Sequence, residues 1–135
     1  QRLRPEIPIY VLTSKRKTFS AAEMMALALQ RKREAIIVGE QTRGGANGGD
    51  FRPLSCRFDA FIPYYSSTVD GINWEGVGIV PNIATSEADA LDTAYRKALE
   101  KLIEKPLPDD ADGLAREIKD ERVELLKKSK NSPQK

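Results

Sequence analysis

Ser20 is the residue of this 135-residue chain whose surroundings could support covalent chemistry. It stands between a β-branched run, PIYVLTS (residues 8–14), and a run rich in Ala, Met and Leu that covers residues 21–33. With Glu23 three positions later it has the spacing of a capping box, and such a cap contributes about 1 kcal/mol without any catalytic role. A serine between a buried strand and a buried helix can also be a nucleophile, because open α/β folds place their sites there. Both interpretations stand at this point.

The segments around Ser20 predict an α/β fold. Residues 8–14 predict a strand buried on both faces, residues 21–33 a buried helix that is apolar on most sides, and residues 35–40 a second buried strand. This order predicts a parallel βαβ unit, with Ser20 at the carboxyl edge of its sheet. The helix N-terminus there would offer free amides to a developing oxyanion.

A glycine-rich segment, QTRGGANGGD (residues 41–50), follows the second strand and predicts a loop whose backbone can approach another group closely. It lacks the Gly-Lys-Ser/Thr ending of a phosphate-binding loop and does not open a helix, so that interpretation is disfavoured. Alternation over residues 54–62 predicts a strand on which Cys56 is a small buried hydrophobe. Asp70 and Gly71 predict a turn.

The C-terminal part of the chain predicts helices. Residues 88–104 have an amphipathic pattern, and residues 109–128 predict a last helix with a thin apolar stripe, followed by a basic, polar end.

Composition excludes several classes of site. Twenty-two basic and twenty acidic side chains leave a net charge of +2, which predicts neither a nucleic-acid partner nor an anionic membrane surface. The longest apolar run, MMALALQ, is too short for membrane insertion, so we expect the chain as given to be soluble. One cysteine and no histidine exclude an internal disulfide, a zinc site of the usual type and a Ser-His-Asp triad within the chain. We therefore expect no metal and no cofactor.

Four motifs in a fixed order, IYVLTS, TFSAAE, AIIVGEQTRGG and NWEGVGIVPNI, carry a family resemblance. They resemble the catalytic C-terminal half of the serine peptidases that include the tail-specific (C-terminal processing) proteases and the tricorn protease core. The interphotoreceptor retinoid-binding protein is also related to that family. The resemblance covers residues 8–102 and implies a Clp-protease/crotonase-like spiral of βαβ and ββα units. It implies an incomplete catalytic domain over residues 1–105 and a C-terminal helix with a basic tail over residues 106–135.

The resemblance also assigns roles to single residues. Ser20 corresponds to the nucleophile, and the N–H of Ala21 to one donor of the oxyanion hole. Glu75 matches the glutamate that orients the catalytic relay in the tricorn-like branch. The lysine of the tail-specific Ser/Lys dyad would fall at Gly45, and Arg43 cannot replace it because a guanidinium keeps its proton near neutral pH. The resemblance therefore favours the tricorn-like branch.

Two parts of the family's machinery are not found in this chain: the histidine base and a glycine-rich segment that supplies the second oxyanion donor. In the family both precede the position of Gln1, so we expect the chain to be a piece of something longer and to be inactive by itself. The N-terminal part of the same protein, or another chain, would supply the base. Asn82 stands where the family commonly has aspartate, and no functional conclusion follows from that difference.

The predicted function is that of a serine endopeptidase that acts through an acyl-enzyme on extended peptides or protein tails. The substrate would lie near the glycine-rich loop, with Gly44 and Gly45 as binding residues. One alternative is a non-catalytic ligand-binding module of the same fold, like the retinoid-binding relatives, and another is a structural or assembly domain. We expect no targeting signal within these residues, and the resemblance favours the bacterial envelope or periplasm, because relatives are often exported there.

Overall fold

A computed structural model describes residues 8–104 and 114–131. The chain divides into two compact units, Gln1–Glu87 and Ala88–Lys135, and each is described here by itself. The sequence predicts that the catalytic domain ends at residue 105. This boundary describes the extent of a functional domain rather than of a compact unit, and it stays a prediction.

The first unit is built around a parallel βαβ element. Strand β1 (Tyr10–Thr13) leads through helix α1 (Ala21–Arg33) to strand β2 (Ile36–Gly39), which pairs with β1 in parallel. A short strand β5 (Ile83–Ala84) pairs with the other side of β2, so the strand order is β1-β2-β5. The βαβ prediction is confirmed, including the bounds of α1. The mixed helix and strand content agrees with an α/β fold, whereas the spiral topology stays a prediction.

The burial predicted for β1 and α1 is wrong in part. Leu12 of β1 is 43% exposed, because β1 lies at an edge of the described sheet rather than between two strands. Helix α1 buries one face through Ala26 and Leu27, while Met25 on another face is 64% exposed. Helix α1 therefore carries more apolar side chains than the other described residues cover.

An antiparallel hairpin follows the glycine-rich loop. Strands β3 (Asn47–Ser55) and β4 (Phe58–Ser66) pair with each other in a separate two-stranded sheet. The loop is thus shorter than predicted, since its last two glycines lie in β3. Cys56 lies in the turn between the strands and is exposed, so its predicted position in a buried strand is wrong. The alternation over residues 54–62 belongs to two strands, and the turn carries no glycine, proline or asparagine to mark it.

The hydrophobic core of the first unit collects residues from α1, β2 and the segments that flank the hairpin: Ala26, Leu27, Ile37, Ala46, Val69, Trp74 and Ile79. The predicted turn at Asp70 and Gly71 is confirmed. Their φ angles are +48° and +77°, and Val69 pairs with Ile72 across them, as in a tight type I′ turn.

The second unit consists of helices α2 (Ala90–Glu104) and α3 (Leu114–Asn131), which contact each other. The prediction of a helix over residues 88–104 is confirmed apart from its first two residues. The beginning of the predicted last helix, residues 109–113, lies outside the described residues, and α3 continues three residues beyond its predicted end. None of the helices in the described part of the chain combines the length and hydrophobicity that a membrane crossing requires.

Candidate active site

Ser20 has an unusual backbone conformation at the start of α1. Its φ is +54° and its ψ is −119°, whereas an ordinary N-cap residue lies in the β region. A non-glycine residue in such a sparsely populated region costs about 1–3 kcal/mol and persists only where the surrounding structure holds it. Conformations of this kind cluster at active sites, and the serine of α/β-hydrolases lies on a comparably strained turn between a strand and a helix. The backbone of Ser20 therefore differs from that of an ordinary cap.

Glu23 holds the backbone of Ser20 in place. The Ser20 N–H donates to Glu23 Oε2 at 2.8 Å, which forms the glutamate side of the predicted capping box. The serine side of the box is present as a contact, but the Ser20 side chain makes no capping hydrogen bond. The box thus fixes the backbone of Ser20, while its hydroxyl only contacts the N–H of Glu23 and makes no capping hydrogen bond.

The carboxylate of Glu23 also joins α1 to the glycine-rich loop. It is fully buried and accepts three further hydrogen bonds, from the Gly45 N–H on Oε2 (2.8 Å) and from the Gly44 N–H (2.7 Å) and the Thr42 hydroxyl on Oε1. The sequence indicated Glu23 only as part of a cap. No sequence signal showed its other donors, because they come from residues about twenty positions away.

Burial by itself raises the pKa of the Glu23 carboxyl. The hydrogen bonds from Thr42, Gly45, Gly44 and Ser20 favour the charged form and together outweigh burial, so the pKa lies below its ordinary value. Glu23 is therefore ionised at neutral pH. A buried carboxylate that accepts this many hydrogen bonds is satisfied without a cation.

The glycine-rich loop interlocks with the segment that follows Trp74. Gly44 has a φ of +87°, and a Cβ there would lie 2.7 Å from the backbone nitrogen of Gly78. The carbonyl of Gly44 accepts a hydrogen bond from the Gly76 N–H at 2.9 Å. A Cβ at Gly78, whose φ is +81°, would lie 2.1 Å from the carbonyl oxygen of Thr42. Close approach of two backbones thus requires glycine on both sides.

Glu75 lies in that second segment and binds the beginning of β3. Its Oε2 accepts hydrogen bonds from the N–H groups of Ala46 (2.6 Å) and Asn47 (2.7 Å), and its own N–H donates to Asn73 Oδ1 at 2.9 Å. Both donors to its carboxylate share Oε2. Among the described residues, Oε1 therefore remains available for another donor.

A small cavity of about 110 Å³ lies beside Ser20. Ala21 and Gly45 line it with Ser20, and Tyr65 and Trp74 are lining residues that the sequence did not indicate. The N–H of Ala21 is in the first turn of α1 and has no acceptor among the described residues, so it can donate into this space. Glu75 and Gly44 do not line the cavity. Glu75 accepts the N–H of Ala46, which does line it, whereas Gly44 donates to the same Glu23 carboxylate as the lining residue Gly45.

The N–H groups of Gly44 and Gly45 are already engaged by Glu23. Binding of a peptide at Gly45 would have to use its carbonyl group, and the substrate-binding role of both glycines stays a prediction.

Asn82 has a structural role: its Oδ1 accepts hydrogen bonds from the Ile37 N–H (2.8 Å) and from Gln30 Nε2 (2.9 Å). The described residues form no group of three or more side chains that could hold a metal ion.

Comparison with known protein families finds a match over the first part of the chain. The model of peptidase family S41 matches residues 1–85, which are more than half of the chain. The match includes Ser20, Glu23, the glycine-rich loop and Glu75. The chain therefore belongs to peptidase family S41, a family of serine peptidases.

Proposed function

We propose that this chain carries the nucleophile of a serine endopeptidase that cleaves extended peptides through an acyl-enzyme. The observation that supports this most directly is the backbone of Ser20, with φ +54° and ψ −119°. A serine whose only role is to cap α1 gains nothing from this conformation, because ordinary caps lie in the unstrained β region. The network around Glu23 instead holds the strained turn, and the Ser20 hydroxyl makes no capping hydrogen bond.

In the proposed reaction, the oxygen of Ser20 attacks the scissile carbonyl while a base takes its proton. The Ala21 N–H stabilises the oxyanion, with a second donor from outside this chain. The C–N bond then breaks, the base returns the proton to the departing amine, and water later hydrolyses the ester on Ser20.

The chain contains no histidine, so the proposed base is a histidine of another segment or another chain. No lysine of the described residues lines the cavity beside Ser20, which favours the tricorn-like arrangement over a Ser/Lys dyad. The proposed role of Glu75 is to orient the incoming base through Oε1, while Oε2 stays on the backbone of Ala46 and Asn47.

The proposed path for the substrate runs past Gly45 and along the hairpin. Asn47 and Gly48 at the start of β3 line the cavity beside Ser20, and so does Tyr65 of β4. The two-stranded hairpin has unpaired outer edges within the described sheet, where an extended peptide can add as a strand.

The retinoid-binding-like alternative is less well supported. Pockets for small organic ligands usually measure about 300–1,000 Å³, and the cavity beside Ser20 is about 110 Å³. A larger cavity of about 490 Å³ adjoins Leu27 and Ile79, but Ser20 does not line it. A ligand there would leave the strained serine unexplained.

The assembly alternative has one observation in its favour. Apolar side chains of the hairpin are widely exposed, with Phe51 at 72% and Phe58 at 69%. Such a surface is typical of a region that packs against another segment or chain. It is compatible with catalysis, because the proposed peptidase also needs another segment to supply its base.

Covalent labelling with a fluorophosphonate probe tests the nucleophile on the longest natural form of the protein. We expect one label, on Ser20, and none in the Ser20→Ala variant. Ser67 lines the same cavity and offers a matched control, so Ser67→Ala should keep the label. An unlabelled wild-type protein, or undiminished label in Ser20→Ala, would contradict the proposal.

A further inference from the structure

Arg43 contacts the residue that directly precedes the proposed nucleophile. Its guanidinium carbon lies 5.5 Å from the centroid of the Phe19 ring, within the range of a cation–π contact. The ring also lies against Gly45, where a Cβ would come within 2.3 Å of Phe19 Cζ. Because Phe19 directly precedes Ser20, the contact places the charge of Arg43 at the rim of the candidate active site.

The positive charge at this rim is not neutralised among the described residues. Neither Arg43 nor Lys15 takes part in an ion pair there, whereas Lys17 of the same basic turn pairs with Glu87. The acidic neighbour is Glu40, whose Oε2 accepts the backbone N–H of Lys15 at 2.9 Å. Two cations and one carboxylate leave one positive charge in excess.

Both cations line one cavity of about 580 Å³, together with Glu40, Gln41 and Gly76. Its wall is held by a hydrogen bond from Gln41 Nε2 to the carbonyl of Val77 at 2.8 Å. The cavity has room for an acidic side chain or the end of a peptide. The planar donors of an arginine match the two oxygens of a carboxylate.

We propose that Arg43, assisted by Lys15, binds a carboxylate of the substrate and thereby makes peptides that present a carboxylate at this position the preferred substrates of the Ser20 site. This specificity rests on the proposed peptidase function. The carboxylate can come from an aspartate or glutamate side chain or from the C-terminus of the peptide, and the two sources present the same chemistry to Arg43.

Peptide binding to the full chain with Ser20→Ala tests the proposal without interference from cleavage. Fluorescence anisotropy would compare a labelled peptide containing glutamate with its glutamine counterpart, each with a free and an amidated C-terminus. We expect Arg43→Gln to weaken binding of the acidic peptide about fivefold, and binding to weaken as salt rises, since the contact is exposed. Arg31→Gln, which removes the same charge from an exposed position on α1, should leave binding unchanged.

The peptide pairs identify the source of the carboxylate. Arg43→Gln will abolish the preference for glutamate over glutamine if a side chain binds, and the preference for a free over an amidated C-terminus if the terminus binds. The proposal is overturned if the Ser20→Ala protein with Arg43 intact shows neither preference, or if Arg43→Gln changes neither preference. It is also overturned if no peptide binds.

Fluorophosphonate labelling separates this proposal from the one on which it rests. Labelling without any carboxylate preference rejects the role of Arg43 alone. A carboxylate preference without labelling of Ser20 rejects the peptidase and leaves a carboxylate-binding site.

Discussion

The side chain of Glu23 couples the conformation of Ser20 to the glycine-rich loop. One oxygen binds the N–H groups of Ser20 and Gly45, and the other binds Gly44 and Thr42. Thr42 extends the connection, since its hydroxyl oxygen also accepts the Ile79 N–H at 2.7 Å. A single buried carboxylate therefore stabilises the strained turn that the proposed nucleophile occupies.

Replacement of Glu23 by Gln keeps the size of the side chain but turns an amide NH₂ toward backbone donors. We expect Glu23→Gln to lower the free energy of unfolding by about 2–4 kcal/mol at neutral pH, because buried donors lose a charged acceptor. Urea unfolding measures the loss. Glu34→Gln at the exposed C-cap of the same helix is a matched control and should change stability little.

Acidification should reduce the difference between the wild type and Glu23→Gln. The pKa of Glu23 is lowered in the folded protein, so the unfolded chain takes up its proton first as the pH falls. The stabilisation is thus fully present above the ordinary pKa of 4.5 and is lost as the pH falls through the lower folded pKa. A difference that stays constant or grows under acid conditions would contradict this account.

Among the larger elements, the glycine-rich loop and the segment that follows Trp74 pack backbone against backbone. Gly78 approaches Thr42, while Gly76 donates its N–H to Gly44. Gly76 and Gly78 separate the cost of a positive φ angle from the cost of a backbone clash. Both have positive φ angles, +69° and +81°, but a Cβ on Gly76 would meet nothing within 4 Å.

We expect Gly76→Ala to destabilise the protein by about 1–2 kcal/mol, which is the cost of a left-handed conformation for a residue with a Cβ. Gly78→Ala adds a backbone clash with Thr42 and should cost clearly more, at least about 3 kcal/mol. Urea unfolding of the two variants gives the comparison. Equal losses would show that the close approach of the two segments is not a constraint.

The sequence predicts the elements that depend on local periodicity and not the contacts between distant residues. The βαβ unit and the bounds of α1 follow from runs of apolar residues and from the cap at Ser20. The turn at Cys56 has no turn residue to mark it, so the alternation over residues 54–62 predicts one strand where the structure has two. The carboxylate contacts of Glu23 and Glu75 depend on tertiary structure, and no local pattern encodes them.

In the chain taken as a whole, the range of the family match nearly coincides with the first compact unit. The match to peptidase family S41 ends at residue 85, and the first unit ends at Glu87. Every residue of the core cluster around Ile37 and Trp74 belongs to this unit, and so does each residue assigned to the candidate active site.

A fragment of residues 1–87 should therefore fold without the second unit. Trp74 is the single tryptophan and is 2% exposed, so its fluorescence reports on the first unit alone. We expect the fragment to show the blue-shifted emission of a buried indole and a cooperative urea transition with a midpoint close to that of the full chain. The reason is that, within the part of the chain that the structure describes, the core around Trp74 includes no residue beyond Glu87. Trp74 emission typical of exposed indole in the fragment, with native emission in the full chain, would show that the second unit is needed for the fold of the first.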